Sequence, residues 1–274
     1  MRICIVGLGL MGASLAYALR GFRDAELVGV DIDAEVCRKA VMLGVVVFAD
    51  TDVRLSESAE LVIYCVYPHH IPALMSACKF KNGTVISDIC GVKSDLYSTI
   101  TLQQNTDYVG IHPMAGKERD GFDNADGAIF RDTGFIITPL PTTKPSSVEL
   151  MRDLARYIGA TKVAVTEPSK HDEIIAYTSD LMHVSAAALC INFHCDMSGA
   201  YTAGAFRDCT RVADINAAAW AELLTSNREN TVAALDKYIG DLVRIRGEIS
   251  ENNSEKLCEI LRIAGENKRE MLTR

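Results

Sequence analysis

The chain has 274 residues, of which 49% are hydrophobic and 23% charged, and its formal net charge is −8. This composition is typical of a globular protein with enough core for one large domain or two medium ones. The acidic balance, with a pI near 5.3 and no cluster of lysine or arginine, argues against a nucleic-acid-binding protein.

The nine cysteines are scattered without C-x-x-C pairs. This spacing predicts neither a disulfide framework nor a metal site, so a reducing cytoplasm is the expected compartment. The apolar run over residues 3–19 loosely resembles a signal peptide, but the glycines within it have fixed offsets that indicate another use. No other stretch is expected to span a membrane, and no membrane partner is predicted.

A glycine-rich motif follows the first predicted strand, residues 2–6. The motif is Gly7-Leu8-Gly9-Leu10-Met11-Gly12, and a helix is predicted after it, over residues 13–20. In this context the first glycine permits a tight turn, the second lets a pyrophosphate approach the backbone, and the third lets helix and strand pack closely. The N–H groups at the start of the helix suit phosphates. All six residues of the motif are therefore predicted to bind a dinucleotide.

Asp31 ends the second predicted strand, residues 26–31, at the distance from the glycines where dinucleotide-binding proteins place an acid. Its carboxylate would accept hydrogen bonds from the adenosine ribose and would repel a 2′-phosphate. The expected cofactor is therefore NAD rather than NADP.

Strands and helices continue to alternate up to residue 166. The further predicted strands are 45–48, 61–66, 84–88, 108–111, 134–138 and 162–165, and the helices are 34–42, 68–78, one ending near 99, and 146–158. Residues 119–132 are predicted to form a loop. This alternation predicts an α/β fold, with a Rossmann-like doubly wound sheet over residues 1–166.

The remaining residues, 167–274, are predicted to form an all-helical domain. Its helices are expected at 168–196, 216–225, 227–250 and 253–271. The first of them is apolar on more than one face, so several of its sides must be covered. We predict a homodimer through this domain; the alternative is that the helix packs only on the first domain of its own chain.

Two histidines are candidate reactive groups. His112 follows the predicted strand 108–111, and α/β proteins often carry reactive groups at the carboxyl ends of strands. His183 lies inside a predicted helix, where a packed core histidine is the default interpretation.

Two arginines form a second candidate feature. Arg207 and Arg211 are four residues apart, so on a helix they share a face and could each bind one carboxylate of a dianionic substrate. The alternative is a network of surface ion pairs with Asp208 and Asp214. The sequence pattern alone favours the surface network.

Several segments together resemble the prephenate/arogenate dehydrogenase family of tyrosine biosynthesis, and the resemblance runs nearly end to end. They are residues 7–16, 88–93, 112–118, 171–172, 179–183, 206–211, 220 and 227–229. The glycine motif is common to many families, but His-Pro-Met-Ala-Gly at 112–116 and Phe-Arg-Asp-x-Thr-Arg at 206–211 are specific in combination. The resemblance implies an NAD(P)-linked oxidative decarboxylation of a cyclohexadienol, and a Rossmann domain followed by a helical dimerisation domain.

The resemblance also implies roles for single residues. His112 matches the catalytic histidine that accepts a hydrogen bond from the ring 4-hydroxyl, Arg211 matches the arginine that binds the ring carboxylate, and His183 matches a second substrate-contacting histidine. The other predicted binding residues are a charged pair at the pocket entrance, two residues near the substrate side chain and one near the cofactor. They are Glu118 and Arg207, Lys117 and Gly204, and Pro68.

The chain departs from the family pattern at two places. Gly91 stands where many members carry a catalytic serine, so hydroxyl assistance to His112 must come from Ser87 or a water, or be absent. The frequent Ser-His-Leu-Pro-His run is Ser-Asp-Leu-Met-His at 179–183, which keeps His183.

Two other functions are compatible with parts of the pattern. One is a β-hydroxyacid-type dehydrogenase, which would use a lysine such as Lys170 on the first long helix. The other is a non-catalytic NAD-binding sensor. The sequence does not distinguish prephenate from arogenate, because the two differ only by a keto or an amino group on the side chain.

Overall fold

The computed structural model describes residues 1–117, 119–191 and 201–271. The chain divides into two compact units, Met1–Asn227 and Arg228–Arg274. The first unit contains the whole sheet and every residue of the candidate site described below. The domain boundary expected between residues 166 and 167 stays a prediction.

One eight-stranded sheet organises the first unit. Its strands are β1 (Arg2–Val6), β2 (Glu26–Val30), β3 (Phe48–Asp50), β4 (Leu61–Tyr64), β5 (Val85–Asp88), β6 (Asp107–Pro113), β7 (Gly134–Pro139) and β8 (Lys162–Val165). Their spatial order is β3-β2-β1-β4-β5-β6-β7-β8. All neighbours are parallel except β6 and β7, which are antiparallel. The order runs outward in both directions from β1 and β4, which is the doubly wound arrangement that the sequence predicts.

Nine described helices surround or follow this sheet in the first unit. They are α1 (Leu10–Ala18), α2 (Ala34–Met42), α3 (Ile71–Ser76), α4 (Ser94–Thr99), α5 (Pro145–Tyr157), α6 (Pro168–Ile175), α7 (Leu181–Ile191), α8 (Gly204–Thr210) and α9 (Ala217–Ser226). Residues Ala176–Asp180 form a π-turn that joins α6 to α7 in one continuous helix. The second unit consists of α10 (Arg228–Ser250) and α11 (Ser254–Met271), which contact each other.

Both faces of the sheet are buried, and the alternation of side chains along β1 shows how. Ile3 and Ile5 pack in a cluster with α1 and α5, whereas Cys4 and Val6 pack in a second cluster with Ile71 of α3. Successive side chains of a strand point to opposite faces, so a strand covered on both sides must be apolar throughout. The continuous apolar runs in the sequence reflect this arrangement.

Several predicted boundaries were wrong. His112 lies inside β6 rather than after it, because antiparallel pairing with β7 extends the strand and sets His112 opposite Ile136. The strand predicted at 45–48 is observed at Phe48–Asp50, and the short helix α8 was missed. The loop 119–132 contains two 3-10 turns. Residues 192–196 of the first predicted long helix lie outside the described residues.

The continuous helix Pro168–Ile191 is long and apolar enough to span a membrane by length and composition alone. It contains Lys170, Asp172, Glu173 and Asp180, however, so it is not an uninterrupted run of about 20 apolar residues. Its side chains His171, Asp172 and Asp180 are nevertheless buried within the first unit. Paired polar side chains of this kind are typical of a helix that packs against protein.

Candidate active site

The turn between β1 and α1 is built from backbone alone. Gly7 has a positive φ of 95°, which favours glycine, and its N–H donates to the Val30 carbonyl at 2.7 Å. A Cβ on Gly12 would lie 1.8 Å from the Gly7 oxygen, whereas a Cβ on Gly9 would meet nothing within 4 Å. The three glycines therefore do what their spacing predicts: one turns, one leaves an open approach and one permits close packing.

The surroundings of this turn suit a dinucleotide. The first intrahelical bond of α1 joins the Ala13 N–H to the Gly9 carbonyl, so the preceding amides are at the positive end of the helix dipole. The Asp31 carboxylate accepts hydrogen bonds from the Leu8 N–H at 2.7 Å and from the Asp33 N–H at 3.0 Å. An open backbone cradle beside a fixed carboxylate has the donors and acceptors that a pyrophosphate and a ribose require.

Pro68 begins a 3-10 turn after β4. With His69 and Glu222 it lines a hollow, in which the His69 Nδ1 lies 2.7 Å from a Glu222 carboxylate oxygen. The contact links the loop after β4 to α9. Whether Pro68 contacts the cofactor stays a prediction.

A separate cavity of about 620 Å³ brings together most of the predicted substrate residues. It is lined by segments far apart in the chain: the end of β6, the loop after it, the π-turn, the start of α7, residues 211–215 and α9. The predicted site residues among its lining are His112, Lys117, His183 and Arg211. Gly204 and Arg207 are exposed and are not in the lining of this cavity, and Glu118 lies outside the described residues.

His112 is held by a chain of hydrogen bonds beneath the cavity. Its Nδ1 lies 2.9 Å from the Nε2 of His171, and the Nδ1 of His171 lies 2.7 Å from a carboxylate oxygen of Asp172. His171 and Asp172 are fully buried. Burial lowers the pKa of His112 well below its ordinary value of 6.5, and the neighbouring His171 and Lys93 lower it further, against the opposing effect of Asp172. His112 is therefore a neutral imidazole at neutral pH.

A buried ion pair supports the strand that carries His112. The Lys93 ammonium donates to the Asp88 carboxylate at 2.6 Å and to the Ile111 carbonyl at 2.7 Å, and the Tyr108 hydroxyl donates to the other Asp88 oxygen at 2.7 Å. Lys93 and Asp88 are completely buried. The resemblance included residues 88–93, but sequence reasoning assigned no role to this pair. The signal that could have found it is a Lys and an Asp at opposite ends of one strand-to-helix turn.

His183 lies against Trp220, with ring centroids 3.5 Å apart and planes tilted by 27°. Its Nδ1 is 3.0 Å from the Ser179 carbonyl oxygen, so Nδ1 is the donor and Nε2 is left as an acceptor. Burial lowers the pKa of His183, and Arg211 lowers it too, against the Ser179 carbonyl and Asp180, which raise it. His183 is thus a second neutral imidazole in the cavity wall.

The cavity also contains cationic and acidic side chains. Arg211 and Lys117 supply positive charge, and the Lys117 ammonium is tied to the Asn124 carbonyl at 3.1 Å and to Asp126 at 3.4 Å. Asp180 accepts a hydrogen bond from the Asn227 amide at 2.8 Å. An anionic substrate would be attracted by the two cations.

Two residues that the sequence analysis considered as further candidates, Ser87 and Lys170, are not part of this site. The Ser87 hydroxyl is buried and donates to the Val109 carbonyl at 2.6 Å, so it is committed to the sheet and the suggestion that it assists His112 was wrong. Lys170 is exposed, pairs with Glu173 at 2.9 Å and is not in the cavity lining. The β-hydroxyacid-type alternative therefore lacks the lysine it would need here.

Two family models cover most of the chain. Residues 15–164 match the nucleotide-binding domain of prephenate dehydrogenase, and residues 167–263 match the dimerization domain of prephenate dehydrogenase. This chain belongs to the prephenate dehydrogenase family. The family assignment confirms the resemblance seen in the sequence and does not favour either alternative function.

Curated relatives and solved structures agree. Cyclohexadienyl dehydrogenase of Zymomonas mobilis is 31% identical, over 94% of this chain and 92% of its own, and prephenate dehydrogenase of Bacillus subtilis is 27% identical, over 96% and 74%. The structure of prephenate dehydrogenase from A. aeolicus in complex with hydroxyphenyl propionate and NAD⁺ has a TM-score of 0.88 and 26% identity, covering 99% of this chain and 98% of that one. Synechocystis arogenate dehydrogenase has a TM-score of 0.80 and 26% identity, covering 99% and 100%. The predicted fold class and enzyme class are confirmed.

Proposed function

We propose that this protein catalyses the NAD-dependent oxidative decarboxylation of prephenate to 4-hydroxyphenylpyruvate, or of L-arogenate to tyrosine. The observation that carries the proposal is the neutral imidazole of His112, which presents an edge to a cavity that also holds Arg211. A reaction that removes a proton from a ring hydroxyl of an anionic substrate needs this combination of a base and a cation.

The cofactor supplies the redox chemistry: when bound, NAD accepts the hydride from the ring carbon that bears the hydroxyl. The residues that would hold it are the motif Gly7–Gly12, Asp31 and Pro68. The Asp31 carboxylate, held by the Leu8 and Asp33 amides, would bond the ribose hydroxyls. A 2′-phosphate would meet its negative charge, so NAD is preferred over NADP.

His112 would act as the base. Its unprotonated ring nitrogen accepts the proton of the ring 4-hydroxyl as the hydride departs. The bond between the ring and its carboxylate then breaks, CO₂ leaves, and the electron pair enters the ring, which becomes aromatic. The proton held by His112 returns to the ring oxygen, so protons and electrons balance.

Arg211 would hold the ring carboxylate by hydrogen bonds from its guanidinium. His183, on the cavity wall against Trp220, would contact the substrate through its acceptor nitrogen, and Lys117 would contact the substrate side chain. Glu118 and Arg207 at the entrance, and Gly204 beside the side chain, remain predictions from the family pattern.

We also propose that the protein is a homodimer through its helical domain. Ile174, Tyr177 and Leu189 of the continuous helix 168–191 are exposed within the chain, Tyr177 by 59% and Leu189 by 50%. Large apolar side chains on one helix favour burial against a second copy.

The eight described cysteines are free thiols, which supports the expected cytoplasmic location.

The test is steady-state production of reduced cofactor from prephenate and from L-arogenate, each with NAD and with NADP, for the wild type and for His112→Asn. We expect turnover of at least one substrate with a preference for NAD, and a fall in kcat of about 10²–10⁴-fold in the variant, the usual contribution of a general base. NAD binding should be unchanged, because His112 is not part of the glycine turn. Undiminished turnover in the variant would overturn the role of His112, and no turnover of either substrate by the wild type would overturn the function.

A further inference from the structure

We infer that His171 and Asp172 are positioning residues that fix His112 in one tautomer, with the proton on Nδ1 and the lone pair on the nitrogen that faces the cavity. The inference rests on the proposed function for its consequence in catalysis. Gly91 stands where the family pattern often has a serine, and His171 orients the His112 ring in its place.

The direction of each hydrogen bond follows from Asp172. A carboxylate is an acceptor only, so the Nδ1 of His171, 2.7 Å away, must carry the proton of that bond. Burial lowers the pKa of His171 below its ordinary 6.5, against the opposing effect of Asp172, so the ring is neutral at neutral pH and carries one proton. The Nε2 of His171 is therefore an acceptor. The Nδ1 of His112, 2.9 Å from it, must then be the donor. His112 is left with an unprotonated Nε2 on the other side of its ring.

Asp172 is itself fixed and kept ionised. Its two carboxylate oxygens accept hydrogen bonds from the backbone N–H groups of Lys93 at 2.9 Å and Ser94 at 2.8 Å. Burial raises the pKa of Asp172, but the hydrogen bonds from the side chains of His171 and Ser94 and from the two backbone groups together outweigh burial, and the pKa is lowered overall. The chain of bonds thus begins at a permanent negative charge beneath the cavity.

Gly91 lies beside the Cε1–Nε2 edge of the His112 ring. A Cβ on Gly91 would be 3.8 Å from the Cε1 and 3.9 Å from the Nε2 of His112. A side-chain hydroxyl at position 91 would therefore approach the reacting nitrogen, whereas His171 holds the nitrogen behind it. Because His171 bonds the Nδ1 of His112, the Nε2 of His112 stays available to the substrate, and a serine is not needed to orient the ring.

The first measurement is the tautomer of His112 in the wild type, read from ¹⁵N chemical shifts and couplings of histidine-labelled protein at neutral pH. The signal of His112 is identified by its loss in His112→Asn. We expect the proton on Nδ1 of His112 and on Nδ1 of His171. A proton on Nε2 of His112 would overturn the inference whether or not the proposed substrates are turned over, because this measurement needs no substrate.

The second measurement is the kinetics of Asp172→Asn. The amide nitrogen that replaces one oxygen can donate to His171, which reverses both hydrogen bonds and protonates the wrong nitrogen of His112. In serine proteases the corresponding change lowers kcat by about 10⁴-fold. We expect a fall of about 10²–10⁴-fold in kcat, NAD binding within about twofold of the wild type, and a shift of the His112 proton to Nε2.

Asp107→Asn is the matched control. Asp107 is also a buried carboxylate that accepts backbone hydrogen bonds, from Tyr108 and Lys144 at 3.0 Å, but its oxygens bond neither histidine. We expect Asp107→Asn to lose stability as Asp172→Asn does, but to keep the wild-type tautomer of His112 and the wild-type kcat. An unchanged kcat in a folded Asp172→Asn, or an equal loss in the control, would overturn the inference. If Asp172→Asn does not fold, the tautomer of His112 measured in the wild type decides whether the inference holds.

Discussion

The glycine turn and the substrate cavity are built in opposite ways. The turn consists of six consecutive residues, and its shape depends on backbone angles and on the absence of side chains at Gly7 and Gly12. The cavity is formed by side chains from β6, α7 and residue 211, which come together only when the sheet and the continuous helix have packed. The first site is local in sequence and the second is made by the fold.

The two sites also differ in how they are supported. The turn rests on close contact between backbone atoms, such as the Gly7 amide and the Val30 carbonyl. The cavity rests on two buried pairs of polar side chains, which we call the cavity floor: Lys93 with Asp88, and His171 with Asp172. Changes at the cavity floor should therefore affect both stability and the catalysed reaction. Changes at the turn should affect stability and cofactor binding.

The largest expected effect is at the cavity floor. Lys93→Met should lower the free energy of unfolding by about 3–5 kcal/mol, because it leaves the buried Asp88 carboxylate without its cation. Chemical denaturation with urea measures the loss. The exposed pair of Lys170 and Glu173 gives a control: Lys170→Met should change stability by less than about 1 kcal/mol. Equal effects of the two variants would contradict the importance of the buried pair.

Two glycine variants can separate the role of the turn in stability from its role in NAD binding. Gly12→Ala would place a Cβ 1.8 Å from the Gly7 oxygen, so the turn must open, with a loss of about 1–3 kcal/mol or more and weak NAD binding. Gly9→Ala meets nothing within 4 Å, so stability should be unchanged while the methyl group obstructs the pyrophosphate. Thermal unfolding and NAD titration of both variants test this. A destabilised Gly9→Ala, or one that binds NAD normally, would contradict the model of the turn.

The pH dependence tests the cavity through His112. Since burial lowers the pKa of His112 below the ordinary 6.5, the imidazole stays neutral and able to accept a proton as the pH falls through that value. The acid limb of kcat/KM should therefore lie below pH 6.5, and activity should be lost only at lower pH. Initial rates across the range measure it. His183→Asn is the control, because a limb that moves in this variant belongs to His183.

The smallest effect is expected at Gly91. Gly91→Ser should fold, because the atoms nearest to its Cβ are the end of the flexible Leu223 side chain at 3.3 Å and the His112 ring at the ordinary distances of 3.8 and 3.9 Å. Compared with Gly91→Ala, it should change kcat by no more than about tenfold, the worth of one hydrogen bond of about 0.5–1.5 kcal/mol. A larger rise would show that His112 is poorly oriented in the wild type, and would count against His171 and Asp172 as its positioning residues.

The difference between the two sites explains how much could be predicted. The turn, Asp31 and the alternation of strands and helices are encoded in short stretches, and all were predicted from them. The cavity residues were predicted through a family pattern, because nothing local relates His112 to Arg211. The Asp88–Lys93 pair has a local signal in the sequence that was not used, whereas the link from His112 to His171 could not be predicted, since it depends on which strands and helices lie side by side. The extension of β6 through His112 likewise depends on antiparallel pairing with β7.

The π-turn at Ala176–Asp180 has a consequence for which sequence changes this family member can accept. One helix serves two purposes, with His171 and Asp172 in the cavity floor before the turn and His183 facing the cavity after it. A π-turn contains one residue more than an α-helical turn, because its hydrogen bonds join residues five apart instead of four. Deleting one residue between 176 and 180 would therefore leave a regular α-helix with His171 and His183 in nearly their present directions. The π-turn thus lets this segment lose one residue, a change that elsewhere in an α-helix turns the following side chains by about 100°.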